Sequence, residues 1–101
     1  MPTQLWREGF IRVAITATAV ASALSIEQSF TVPGLKVNDQ VVVTKPTFQT
    51  GLGIGNVRVD ADNSLAITFL NVNVATAVTP TAAEVYTIWW KRPENFAGSA
   101  S

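Results

Sequence analysis

Few side chains in this sequence could perform chemistry, because it contains no histidine and no cysteine. This composition argues against Ser-His-Asp and Cys-His nucleophile systems, the usual zinc ligand sets and the commonest general base. Seven carboxylates remain, and only Asp60 and Asp62 are close in the chain. A glycosidase acid and nucleophile ordinarily face each other across a cleft, so we interpret this pair as part of a hairpin turn. A catalytic role and an adventitious cation site are the alternatives. We expect no enzymatic activity, no catalytic residue, no cofactor and no metal site.

Three alternating glycines, Gly51, Gly53 and Gly55, suggest a phosphate-binding loop at first sight. The dinucleotide fingerprint requires a further glycine and a following helix, and the phosphate-binding loop requires a Lys-Ser/Thr pair, all of which are missing here. In a β-strand the three glycines would lie on one face and leave it without side chains, which permits close approach of a bulky group. Two interpretations stay open: a contact within the chain, such as a bulge or barrel corner, and a contact between subunits.

The adjacent pair Trp89 and Trp90 must point to opposite faces of a strand, so both cannot enter one core. In one interpretation, one tryptophan is in the core and the other lies under the N-terminal segment. In the other, the outward tryptophan acts with Arg92 and Phe96 as the anchor of a protein interface, where Trp and Arg are enriched.

The elements that would position these residues are strands. Apolar residues alternate with polar ones on both sides of Asp60–Ser64, which predicts a β-hairpin within Gln49–Asn71 with those five residues as its loop. The sequence VPGL predicts a type II turn, since Pro presets the φ of the second residue and Gly accepts positive φ at the third. The remaining predicted strands are Phe10–Val20, Ser25–Val32, Gln40–Thr44 and Glu84–Trp90. Because Gln40–Thr44 contains three consecutive valines, we expect both of its faces to be covered.

A chain of 101 residues with this strand spacing predicts one all-β domain, an antiparallel β-sandwich or jelly roll. We place the sandwich at residues 10–90, between an N-terminal arm at 1–9 and a C-terminal arm at 91–101. The N-terminus imitates a secretory signal, but Glu8 and Arg12 interrupt its apolar run, so no signal peptide is expected. No stretch of about twenty apolar residues could cross a membrane.

Charged residues make up 14% of the chain, against about 25% in ordinary soluble domains. With a formal net charge of zero, the chain has no long-range field to attract nucleic acid or an anionic membrane, and we expect neither as a partner. The low charge predicts instead that protein covers part of the surface. We expect self-association, with a trimer favoured and a dimer next.

Three segments carry a resemblance to a known family: SFTVPGLKVNDQVVVTKP, QTGLGIGNVRVDADNSLAITFLN and TPTAAEVYTIWW. Together they resemble the small β-sandwich virion proteins of tailed bacteriophages, most of which are head decoration (cement) proteins. The resemblance implies a structural protein on the capsid exterior that binds the major capsid protein, bridges capsomers and stabilises the head. It also implies synthesis in the host cytoplasm. The alternative is a receptor- or carbohydrate-binding β-sandwich module of a phage tail or an adhesin.

The two ends of the chain lie outside this resemblance, and we predict that they bind the capsid. Trp6 and Phe96 are the aromatic anchors in this hypothesis, and Arg7, Lys91 and Arg92 pair with carboxylates on the partner. The C-terminal tail, Phe-Ala-Gly-Ser-Ala-Ser, has too little apolar surface to become ordered without a partner. An aromatic side chain buried in a partner would stabilise each arm.

Overall fold

The computed structural model describes residues 5–94, with side chains from Arg7 to Arg92. Over these residues the chain forms six β-strands and no helix, which confirms the predicted all-β class. The strands are β1 (Leu5–Ile15), β2 (Ser25–Thr31), β3 (Gln40–Thr44), β4 (Leu52–Ala61), β5 (Ser64–Asn71) and β6 (Glu84–Glu94).

The strands form two three-stranded antiparallel sheets, in the orders β1-β6-β3 and β2-β5-β4. Their inner faces share one hydrophobic core, as in a β-sandwich. The central strands β5 and β6 supply half of the largest fully buried side chains, and each of the two strands is flanked by two neighbours in its own sheet. These core residues are Leu65, Ile67, Phe69, Tyr86 and Ile88.

The predicted hairpin is confirmed as β4 and β5, but its loop is shorter than the predicted Asp60–Ser64. Ala61 pairs with Ser64, so only Asp62 and Asn63 lie between the strands, with Asn63 in the left-handed region at φ 64°. The loop docks on the VPGL turn, in which Gly34 has φ 101°. Asn63 accepts the Gly34 N–H through its Oδ1 at 2.9 Å, and its own N–H donates to the carbonyl of Leu35 at 2.7 Å. The turn residues of two distant segments therefore stabilise one another.

The first strand lies five residues earlier than predicted, at Leu5–Ile15 rather than Phe10–Val20. A strand needs a hydrogen-bonding neighbour, and β6 supplies one from Glu84 as far as Glu94. Beyond Ile15 that neighbour is missing, and Val20 instead makes an isolated bridge with Val78. Residues 5–9 and 91–94, which we predicted as parts of arms, thus belong to strands: residues 5–8 pair with residues 91–94, and Gly9 pairs with Trp90.

The third strand has the predicted bounds, but the prediction that its valines are covered on both faces is wrong. Val41 and Val43 pack against the core, whereas Val42 points outward and is 56% exposed. The outer face of the β1-β6-β3 sheet has no third layer among the described residues. This open face positions the side chains of the candidate site.

Candidate interaction surface

An apolar row crosses the outer face of the β1-β6-β3 sheet. Phe10, Trp89 and Val42 are directly opposite one another in the two strand pairings, one residue from each strand. Their exposed fractions are 73%, 38% and 56%. Side chains opposite each other in antiparallel strands lie close together, so the three form a continuous surface. We call these residues the apolar row.

The central tryptophan of the row is held by its neighbours on the same face. The indole Nε1 of Trp89 donates a hydrogen bond to Glu8 Oε1 at 3.0 Å, and the ring stacks on Phe10 with centroids 6.3 Å apart at an interplanar angle of 20°. The ammonium of Lys91 lies 5.8 Å from the ring centroid. A side chain already fixed in this way loses little entropy when a partner covers it.

Polar side chains border the apolar row on both sides, as in a protein interface with an apolar centre and a polar rim. The sheet register places three of them in the row above and three in the row below: Glu8, Lys91 and Gln40, and Arg12, Thr87 and Thr44. A shallow depression of about 220 Å³ next to Trp89 is lined by Gln40, Val41, Val42, Trp89 and Lys91.

Trp90 points to the opposite face from Trp89, as predicted, and packs against the core. It lies opposite Gly9 in the register, and a Cβ atom at Gly9 would stand 2.9 Å from the Trp90 ring. The glycine therefore provides the space in which the ring lies. The Arg92 guanidinium covers the ring at 4.7 Å from its centroid.

Arg92 was expected to pair with a carboxylate of a partner, but it pairs with Asp39 of the same chain. Its Nε and a terminal nitrogen each donate to the Asp39 carboxylate at 2.7 Å, and the same terminal nitrogen reaches the Gly34 carbonyl at 3.1 Å. Burial by itself would raise the pKa of Asp39, but hydrogen bonds from Arg92 and the Lys36 N–H, with the Arg92 charge, outweigh it and lower that pKa. Arg92 thus fastens the VPGL turn and the segment after it to β6.

The other predicted interface residues lie at the ends of β1 and β6. Arg7 is exposed and lies opposite Arg92 in the register, and Lys91 borders the apolar row. The backbone of Trp6 belongs to β1, while its side chain and the whole of Phe96 lie outside the described residues. Of the predicted set, the structure brings Trp89 and Lys91 together on the open face and turns Trp90 and Arg92 inward.

The three glycines do not share one environment, contrary to the prediction of a single bare strand face. Gly51 lies in the turn before β4 with φ 83°, and Gly55 lies in the irregular stretch between Ile54 and Val57. A Cβ at Gly55 would meet the Leu70 side chain at 3.2 Å, a contact within the chain, whereas a Cβ at Gly53 would meet nothing within 4 Å. The chain itself thus explains two of the three glycines.

Asp60 and Asp62 both stabilise the hairpin, but only Asp62 lies in its turn, because Asp60 belongs to β4. Asp62 Oδ1 accepts the backbone N–H of Val37 at 3.1 Å, and Asp60 Oδ2 accepts the Ser29 hydroxyl at 3.1 Å. The hydrogen bond from Ser64, followed by that from Ser29, lowers the pKa of Asp60. Over residues 5–94 no group of three or more carboxylates could hold a metal ion.

A polar cluster at one end of the sandwich escaped the sequence analysis. Lys45 Nζ lies 2.9 Å from Glu84 Oε1, with both side chains less than a tenth exposed, and Thr47 donates a hydrogen bond to the other carboxylate oxygen. Close by in β6, the hydroxyl of Tyr86 is buried and has no hydrogen-bond partner among the described residues. Burial and the nearby Glu84 charge raise the pKa of Tyr86 to about 12. The period-two pattern assigns Tyr86 to the core but carries no information on hydroxyl partners.

A buried amide also organises the connection after β5. The Asn71 side chain donates to the carbonyls of Val20 and Thr76 at 3.0 and 2.9 Å and accepts the Asn73 N–H at 2.9 Å. All three bonds are local to the loops at this end of the sandwich, so we assign Asn71 a structural role.

Within the described part of the chain, no helix is long and apolar enough to cross a membrane. Comparison of the sequence with protein-family models and with curated proteins, and of the fold with solved structures, finds no match.

Proposed function

We propose that this protein is a structural virion protein, a phage head decoration protein that binds the major capsid protein on the capsid exterior and bridges capsomers. Its family comes from the resemblance of the three segments quoted above. The observation that supports a binding role is the apolar row, which lies on an open sheet face with Trp89 fixed at its centre. The jelly-roll connectivity, the capsid-binding arms and self-association belong to the same proposal.

The composition of the face supports a protein partner. Trp is among the residues that contribute most to protein interfaces, particularly where it is surrounded by groups that exclude water. Here Phe10 and Val42 flank Trp89, and charges of both signs lie at the border, with Glu8 and Lys91 in the same row. A rim of mixed charge favours a partner with a matching polar rim over a uniformly charged polymer.

The alternative is a receptor- or carbohydrate-binding module, and one observation favours it. The depression beside Trp89 has an aromatic wall with Gln40 and Lys91 on its border. An aromatic ring with amide and ammonium groups nearby can receive the apolar face and the hydroxyls of a sugar. The two functions differ in their partner, so a binding experiment separates them.

The experiment is addition of purified protein to undecorated heads, with native chain and Trp89→Ala compared by cosedimentation. An interface tryptophan contributes about 2 kcal/mol or more, so we expect binding to weaken at least ~30-fold. Phe48→Ala is the matched control, because Phe48 is an 84% exposed aromatic residue away from this face. Equal binding by Trp89→Ala and the native chain would remove the apolar row from the proposal. Binding of soluble glycans but not of heads would favour the alternative.

The arms are tested separately by deletion of residues 1–4 and 95–101. This deletion leaves every described strand intact, whereas removal of residues 1–8 would take away part of β1. We expect the truncated protein to fold and to bind heads more weakly. Undiminished binding would exclude residues 1–4 and 95–101, including the predicted anchor Phe96, as the capsid contact; the anchor Trp6, which the truncated protein keeps, is tested by Trp6→Ala in the same assay.

A further inference from the structure

The outer edge of β1 is the longest unpaired sheet edge in the described structure. β1 pairs with β6 through all eleven residues without a register shift, and no described strand pairs with its other side. The other three edges are shorter or irregular: β3 has five residues, β2 has seven, and β4 is broken by two register shifts. Short or bulged edges resist pairing with another chain, and a long regular edge invites it.

The sequence of β1 is complementary to itself about its middle residue. Phe10 is the sixth of the eleven residues of Leu5–Ile15. Glu8 stands two positions before it and Arg12 two positions after it, both on the outer face. An antiparallel copy centred on Phe10 therefore overlaps the whole strand and places Glu8 opposite Arg12 twice.

We propose that two copies of this chain associate through their β1 edges, antiparallel, with the twofold axis at Phe10. The pairing joins the two β1-β6-β3 sheets into one six-stranded sheet. It forms about ten to twelve backbone hydrogen bonds between edges that are otherwise unpaired. The inference rests on the described geometry and charges of β1, and it does not depend on the capsid function.

The side chains on the outer face select this register from its neighbours. In a continuous sheet, opposite residues must share a face, so the axis can move only by whole residues along β1. An axis at Gly9 places Phe10 opposite Glu8, and an axis at Ile11 places it opposite Arg12. An axis at Glu8 or Arg12 brings like charges face to face, which is destabilising.

The proposed pairing also covers or pairs side chains that are exposed in the single chain. Phe10 is 73% exposed in the single chain, and its opposite number in the second copy would cover it. Arg12 is exposed and forms no ion pair with any residue that the structure describes. Glu8 keeps its hydrogen bond from Trp89 through Oε1, and its second carboxylate oxygen faces the Arg12 of the other copy.

Charged residues on an edge often prevent pairing, but the charges of β1 differ from a run of lysines. A run of like charge repels a second copy in every register. Repulsion arises only in the registers that place Glu8 opposite the second copy's Glu8, or Arg12 opposite its Arg12. In the register centred on Phe10, Glu8 of each copy instead attracts Arg12 of the other. They therefore specify one pairing, and of the trimer and dimer left open by the sequence this edge selects the dimer.

A single cysteine tests the position of the axis, because the native chain contains none. In Phe10→Cys the two Cα atoms would lie about 4.5–5.5 Å apart, within the range that a disulfide spans. Arg12→Cys is the matched control on the same strand and face, and its two Cα atoms would lie about 13 Å apart along the strands. Under mild oxidation we expect a covalent dimer from Phe10→Cys and not from Arg12→Cys. Equal yields from the two variants, or none from Phe10→Cys, would overturn the register.

A charge exchange tests the pairing without a covalent bond. Sedimentation should show a dimer for the native chain, a monomer for Arg12→Glu, and a dimer again for the double variant Glu8→Arg/Arg12→Glu, in which opposite charges again face each other. Far-UV circular dichroism shows whether each variant is folded. A monomeric native chain, or a folded double variant that stays monomeric, would overturn the proposal. Because neither experiment uses heads, failure of the dimer and failure of the capsid function are distinguishable.

Discussion

Replacement of Arg92 by alanine is expected to destabilise the fold strongly, since it leaves a carboxylate buried without its cation. The Asp39 side chain is 1% exposed and receives two hydrogen bonds of 2.7 Å from Arg92. Removing one partner of a fully buried ion pair costs about 3–5 kcal/mol. The Arg92 side chain is 23% exposed, and the Lys36 N–H still donates to Asp39 after the change. Both facts place the expected cost near the lower limit, about 3 kcal/mol.

The control is Arg58→Ala, which removes an ion pair of the same bidentate form on the surface. Arg58 contacts Glu27 at 2.8 and 2.9 Å, but the two side chains are 55% and 35% exposed. Exposed pairs contribute little because water solvates both partners after separation. Unfolding is followed by tryptophan fluorescence during heating at pH 7 and at one protein concentration, because association would shift the midpoint.

For a domain of this size, about 3 kcal/mol lowers the unfolding temperature by at least ~12 °C. We expect such a decrease for Arg92→Ala and a several-fold smaller one for Arg58→Ala. Similar decreases for the two variants would contradict this prediction, because the Asp39 side chain is 1% exposed whereas the Glu27 side chain is 35% exposed.

Four further predictions concern Tyr86, Gly9 and Asp39. Tyr86→Phe should stabilise the protein by about 1 kcal/mol in urea unfolding, because it removes a buried hydroxyl without a partner; destabilisation would show that the hydroxyl is bonded. Since the folded pKa of Tyr86 is raised to about 12, the contribution of Tyr86 to native stability should be constant below pH 10 and fall from there to pH 12. Tyr86→Phe should remove this part of the alkaline loss. Gly9→Ala should lower the free energy of unfolding by about 1–3 kcal/mol, because its Cβ would meet the Trp90 ring at 2.9 Å. Gly53→Ala is the control and should be neutral, because open space surrounds that position. Equal losses for the two variants would contradict the close approach of Gly9 and Trp90. The pKa of Asp39 in the folded protein lies below its usual 3.8. The contribution of Asp39 to stability is therefore present above about pH 4 and is lost as the pH falls through the folded pKa. Measurement of the unfolding free energy in acid should show this loss, and Asp39→Asn should reduce it.

Strand class and turns could be predicted because they depend on local chemistry. Alternation around Asp60–Ser64 and the Pro33-Gly34 pair fix a hairpin and a turn whatever the rest of the chain does. The bounds of β1 could not be predicted in this way, because β1 extends only as far as β6 provides hydrogen-bonding partners. Which residues of the two strands pair is not visible in the sequence of either strand alone.

The candidate site was predictable in part for the same reason. Adjacent tryptophans must face opposite ways, but the sequence does not tell which one meets the core, and Trp90 faces inward where Gly9 leaves room for it. The predicted role of Arg92 ignored Asp39, which is 53 residues away in the chain. The apolar row could not be predicted, because Phe10 and Val42 lie beside Trp89 only once the three strands have paired. That pairing joins segments that are far apart in the sequence.

We propose that this protein is a decoration protein of a phage head, and its copy number per particle is the measurement that decides for or against this role. Quantitative gel densitometry of purified particles that carry the protein gives its ratio to the major capsid protein. We expect hundreds of copies per particle, in a fixed ratio set by the capsid lattice. A handful of copies per particle would contradict it and would assign the protein to the tail.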